Sequence, residues 1–161
     1  MTQTAALPAF AVQAVKKALH DIPMNATVGV QITGVGVGWA TGEAPETAPF
    51  HNHLGTIHAG VQFLLAEAVS GAAFAGAFAA QLMTAVPLIE KLETHYVGRA
   101  QGDLTARAEA ADPAALPQAH ADFAREGKAR LVLNISVQDG ENKEVMRAVA
   151  HWYIRARPQQ G

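Results

Sequence analysis

Glu67 is the only charged residue between Ala59 and Met83. A carboxylate in so apolar a run is costly to bury unless it is used, which makes Glu67 a candidate acid/base. The stretch leading to it, NHLGTIHAGVQFLLAE from Asn52 to Glu67, opens in a polar loop. That loop holds Asn52 and Gly55, together with three histidines: His51, His53 and His58. Three imidazoles could ligate zinc or iron. These sit in a loop with no cage of further ligands, so no metal is expected. Ser70 and Thr84 lack the His and Asp partners of a hydroxyl nucleophile. The chain has no cysteine, which excludes thiolate chemistry and disulfides. Gly34, Gly36 and Gly38 are followed by neither Lys-Ser/Thr nor a helix, which argues against a phosphate loop.

The elements that must position Glu67 can be read from periodicity. The apolar run predicts a central helix over residues 58–82, hydrophobic almost all round and therefore buried. Residues 7–20 carry Phe10, Val12, Val15 and Leu19 at helical spacing, with Pro8 suited to a first turn. Alternation over Thr27 to Ala40 predicts strand, with a shift at Thr33-Gly34, and Glu43 to Pro49 reads as a loop. Further strands are expected over 85–98, 102–111, 129–138 and 144–157, the last two joined by a turn at Asp139 to Asn142. In the strand over 85–98, Leu88, Leu92 and Tyr96 share one face in this reading, opposite Ile89 and Lys91. Residues 113–128 interrupt the strands with a short helical insertion that Pro117 opens and Gly127 ends. The pattern predicts a single α+β domain over 1–161, an antiparallel β-sheet wrapped around one long central α-helix, which is the hot-dog fold.

Composition narrows the partners. Hydrophobic residues make up 50% and charged residues 16%, a low charge density that points to surface covered in an oligomer. The net charge is -2 with no basic block, so nucleic acid is not an expected partner. No export signal is visible, and a cytoplasmic protein is expected. The central run is long enough for a bilayer. Its larger apolar residues contribute roughly -4 kcal/mol on the insertion scale and the carboxylate about +3. Gln62, Ser70 and Gln81 remove the remainder, so no membrane span is expected.

The central stretch resembles the signature of hot-dog acyl-CoA thioesterases of the phenylacetate-pathway type. That signature is an Asn, then His-Gly-Gly, then an acid; Asn52, His58-Ala59-Gly60 and Glu67 fall at its separations, with Ala59 where the family usually has Gly. The order of elements agrees from Thr27 onward. The resemblance implies that Glu67 is the general base for water or the nucleophile toward the thioester carbonyl. It implies that the Ala59 N–H polarises that carbonyl and that Asn52 positions water or carboxylate. His58 would orient the loop or touch the substrate. Gly55, His53, Gly60, Phe63 and Leu64 would contact the substrate. No cofactor is implied beyond CoA as part of the substrate, and an acyl-carrier thioester is an equal alternative. Lys91, Arg99, Lys128 and Arg130 are candidates for CoA phosphates.

The physics supports such an arrangement. Acyl transfer needs an activated nucleophile and a donor aimed at the developing oxyanion. A helix N-terminus supplies free N–H groups and a favourable dipole. Burial among Phe63, Leu64 and Phe74 should raise the Glu67 pKa. Ala59 and Glu67 lie about 12 Å apart along one helix at roughly 1.5 Å per residue, so one carbonyl carbon cannot touch both. Two chains with antiparallel helices across a two-fold axis would bring them together. An obligate homodimer, built into a tetramer, is therefore expected. Two rivals remain. Hydroxyacyl-thioester dehydratases pair a loop His with a helix acid, here His53 and Glu67, although their Pro-rich loop is missing. The other rival is a domain that binds acyl thioesters without turning them over. Asn52 fits a turn as well as a site.

Overall fold

The computed structural model describes residues 6–158. Its centre is α3 (Ala59–Ala77), 19 residues whose buried positions lie on most of its circumference. A six-stranded antiparallel sheet curls around it in the order β1-β2-β4-β5-β6-β3. The strands are β1 (Gln31–Gly36), β2 (Trp39–Ala44), β3 (Ala85–Tyr96), β4 (Leu104–Ala110), β5 (Lys128–Gln138) and β6 (Glu144–Ala156). The outer strands are β1 and β3, so β3 pairs with β6 alone and leaves its other side unpaired.

Small residues let helix and sheet approach. On β4, Leu104, Ala106, Ala108 and Ala110 are buried while Thr105, Arg107 and Glu109 face out, the alternation expected of a half-buried strand. A Cβ at Gly76 of α3 would overlap the Gly36 carbonyl oxygen of β1, so that crossing requires glycine. Larger groups fill what remains. Phe74 stacks on Trp152 at 5.6 Å between ring centroids, and Trp152 Nε1 donates to Ser70 Oγ at 3.0 Å. A helix as long and apolar as α3 could span a membrane by length and composition, but here 72% of that stretch is enclosed by the fold.

Two further helices flank the N-terminal part of the chain. α1 (Ala9–His20) packs Val12, Val15 and Leu19 inward, but Phe10 is exposed, contrary to the sequence reading, and Pro8 is the N-cap rather than a first-turn residue. α2 (Pro23–Val28) replaces the start of the expected strand. Pro23 opens it, Gly29 closes it in the left-handed region at φ 87, and buried Asn25 donates to Leu19 O at 2.8 Å. The register shift near Gly34 falls where the sequence places it, but β2 runs on through Glu43 into the expected loop. α3 stops at Ala77, short of 82, and a 3-10 turn at Ala79–Gln81 follows.

In β3 a bulge at Glu90 resets the alternation, so Ile89 and Leu92 both pack toward the core while Leu88 and Tyr96 are exposed. The sequence reading had placed Leu88 with Leu92. The insertion forms α4 (Ala115–Glu126), which starts two residues before Pro117 and ends at Gly127 in the left-handed region. It covers the C-terminal end of α3: His120 Nε2 donates to Ala77 O at 2.7 Å, and its ring meets the Phe78 face edge-on.

Candidate active site

The loop before α3 is built by hydrogen bonds that its own side chains make. Asn52 Oδ1 accepts from Leu54 N at 2.9 Å and from Thr56 N at 3.2 Å, and Asn52 Nδ2 donates to Thr56 Oγ1 at 3.0 Å. Gly55, at φ 71, supplies the left-handed turn between them. The Asn52 side chain is thus a loop organiser, the turn role that the sequence left open. Thr56 and Ile57 are buried beneath it, and Ile57 N donates to Ala100 O at 3.0 Å.

A second clasp was not legible in the sequence. Glu46 Oε1 meets His51 Nε2 at 2.9 Å, and Glu46 Oε2 accepts from Gly102 N at 2.7 Å. One carboxylate so ties the loop to the turn between β3 and β4. The three histidines diverge. His51 is held by Glu46, His53 is exposed without a hydrogen-bond partner among the described residues, and His58 caps α3. Among the described residues no three His, Cys, Asp or Glu side chains group as metal ligands.

His58 enters α3 in extended backbone (φ -62, ψ 140), and its Nδ1 accepts from Gly60 N at 2.8 Å. A neutral His58 must therefore carry its proton on Nε2. The cap satisfies the Gly60 N–H and leaves the Ala59 N–H without an acceptor among the described residues. That donor sits at the positive end of the α3 dipole. Tyr96 Oη donates to Ala59 O at 3.4 Å, which brings the end of β3 beside the same helix terminus.

Glu67 lies two turns further along. Ala59, Gly60, Phe63 and Glu67 fall within about a quarter turn of one another at roughly 100° per residue, and this is the one stripe of α3 the sheet does not cover. Phe63 is 42% exposed there, so it does not bury the carboxylate as the sequence reading supposed; Leu64 is half-buried at the stripe's edge and Phe74 lies inside the core. The Glu67 carboxyl is half-buried and has no hydrogen-bond or ionic partner among the described residues; desolvation raises its pKa. Within one chain, the Ala59 amide and Glu67 remain apart. Beside the helix terminus, α2 and the 3-10 turn Ala48–Phe50 frame a cleft of about 320 Å³ that His58 and Gly60 also line.

Over residues 12–154 the sequence matches the family described as "Domain of unknown function (DUF4442)". The chain belongs to the DUF4442 family. No curated protein matches this DUF4442 chain. Its fold is shared with solved structures. One is a protein of unknown function, a probable thioesterase, from Pseudomonas aeruginosa (22% identity, 96% of this chain and 99% of that one, TM-score 0.77). Another is a thioesterase family protein from Silicibacter pomeroyi (19% identity, 90% and 98%, TM-score 0.72). A third is a mutant of a thioesterase enzyme from Staphylococcus aureus (18% identity, 82% and 98%, TM-score 0.68). At these identities the likeness establishes the hot-dog fold for this DUF4442 chain.

Proposed function

We propose that this protein hydrolyses acyl thioesters at two equivalent sites, each formed between two copies of the chain. The observation that carries this reading is the half-buried, unpartnered Glu67 carboxyl on the same uncovered stripe of α3 as the free Ala59 N–H. In an antiparallel pair of α3 helices, the Ala59 N–H of one copy faces Glu67 of the other. The unpaired side of β3 supports such a pair, because joining two β3 strands satisfies both rows of backbone groups and covers Leu88 and Tyr96.

The chemistry follows from these groups. The Ala59 N–H polarises the thioester carbonyl and holds the oxygen as it becomes negative. Glu67 of the second copy removes a proton from water as the water oxygen attacks the carbonyl carbon. The C–S bond then breaks, the acid is released and the thiolate takes up a proton. In the nucleophilic variant Glu67 itself attacks, and water cleaves the resulting anhydride. His58 fixes which N–H remains available, and Asn52, Gly55 and Glu46 hold the loop that carries His58.

CoA is the carrier best served by the charges. Arg130 is engaged by Glu90 and the Tyr153 ring, Lys91 by Glu93, and Lys128 approaches Glu126. Arg99 is exposed, has no acidic partner among the described residues, and adjoins Ala100, which anchors the loop; it is the candidate phosphate contact.

The test is free-thiol release from a panel of acyl-CoA thioesters. Thiol release is expected from the wild type, and Glu67→Gln should lower it by about 10² to 10⁴-fold while the protein stays folded. Thermal stabilisation by acyl-CoA without thiol release would instead favour the non-catalytic binding rival. Wild-type rates in Glu67→Gln would remove the carboxylate from the reaction.

A further inference from the structure

We propose, resting on the thioester reading above, that the cleft between α2 and the N-terminus of α3 receives the acyl group and limits it to about ten non-hydrogen atoms. The cleft encloses about 320 Å³. At roughly 30 Å³ per water-sized group, that accommodates a hexanoyl, octanoyl or phenylacetyl moiety, and a longer chain would have to run out past the rim.

The walls fix the chemistry of the guest. Met24 and Val28 come from α2, Pro49 and Phe50 from the 3-10 turn, and Val61 from α3. Two of the polar groups nearby are already engaged. Thr27 Oγ1 donates to Pro23 O at 2.7 Å, and the His51 ring is held by Glu46. A guest in the cleft therefore meets mostly hydrocarbon, which suits an alkyl or aryl group. His58 and Gly60 also line the cleft, beside the free Ala59 N–H, so a thioester carbonyl held there would lead its acyl group into it. A hollow of about 370 Å³ on the outer sheet face offers nothing comparable. Arg107 and Arg147 line it, each paired with its own acid, Glu109 and Glu144.

The wall is also well anchored. Asn25 is fully buried and bonds Leu19 O, which fixes α2 against α1. Met24 is 60% exposed at the rim, so its size can be changed with little effect on folding.

The experiment measures kcat/KM by thiol release for straight-chain acyl-CoA thioesters from acetyl to hexadecanoyl, and for phenylacetyl-CoA. The wild type should improve with length to about eight carbons and decline beyond. Met24→Trp should lower the octanoyl-to-acetyl ratio at least tenfold, and Met24→Ala should move the optimum to longer chains. An octanoyl-to-acetyl ratio within twofold of wild type in Met24→Trp overturns the proposal. If the wild type releases no thiol from any substrate, hydrolysis itself fails and binding decides about the cleft. Calorimetry with S-octyl-CoA and S-ethyl-CoA, two inert thioethers, then applies. A preference for the octyl compound that Met24→Trp removes upholds the cleft; equal binding or none overturns it.

Discussion

Complementation between two damaged chains tests the shared site most directly. Ala59→Pro deletes one atom of interest, the N–H at the first position of α3. Proline is favoured at that position of a helix. The preceding His58, at φ -62 and ψ 140, already has the backbone that a residue before proline adopts. The Gly60 N–H to His58 Nδ1 bond does not involve the deleted proton. The substitution should leave the melting temperature within a few degrees while lowering kcat by about 10² to 10³-fold, the effect of losing one oxyanion donor. Glu67→Gln alone should be comparably inactive. When the two variants are unfolded together at equal concentration and refolded, about half the dimers are mixed. In a mixed dimer one site unites the intact Glu67 of one chain with the intact Ala59 of the other, and the second site has neither. The refolded mixture should then recover about one quarter of wild-type activity, because half the dimers carry one working site out of two. If both groups acted within one chain, every site would lack one of them. No recovery from a mixture shown by mass spectrometry to contain mixed dimers would refute the shared site, as would a fully active monomer.

Three further outcomes are expected. Burial raises the Glu67 pKa, so its contribution to stability is complete below the ordinary carboxylate range and is lost as pH rises through the raised value. Glu67→Gln, a permanently neutral mimic, should therefore melt above the wild type at pH 8 and level with it at pH 4; a lower melting point at pH 8 would reveal a stabilising partner for the carboxylate. Gly76→Ala places a methyl group against the Gly36 carbonyl, backbone that cannot swing aside, and should lower unfolding free energy by about 3 kcal/mol, read from urea denaturation. His53 is exposed and unbonded, so His53→Ala should lose no more than about tenfold in thiol release; complete loss, with hydration of an enoyl thioester in the wild type, would favour the dehydratase rival.

The fold was legible because its signals are local. An uninterrupted apolar run with one acid announces a wrapped helix, and alternation such as Leu104, Ala106, Ala108 announces a half-buried strand. The helix α2 was missed because Thr27 and Val28 extend the alternation of the strand that follows, and this masked Pro23 and Gly29 as its start and stop. The bulge at Glu90 was invisible because alternation looks the same on either side of an inserted residue. For the candidate site, the sequence placed the start of the central helix at His58, where the structure has its N-cap. It did not show that the Asn52 amide is engaged within its own loop, since that depends on where the Leu54 and Thr56 amides point. The Glu46 clasp joins residues 46, 51 and 102, and only the folded chain brings them together. An acid five residues before a histidine, in a Pro-containing loop, was its one trace in the sequence.

That clasp ties the candidate site to a distant seam. Gly102 and Gly140 lie back to back: a side chain at 102 would start 3.1 Å from Gly140 Cα, and one at 140 would start 3.0 Å from Gly102 Cα. The β3–β4 connection and the turn of the β5–β6 hairpin are pressed together there with no room for a methyl group. Enlarging either glycine would pry the two segments apart and pull the Gly102 amide from Glu46, loosening the peptide that ends in His58. A surface position far from the candidate site thereby becomes a lever on the amide proposed to meet the substrate.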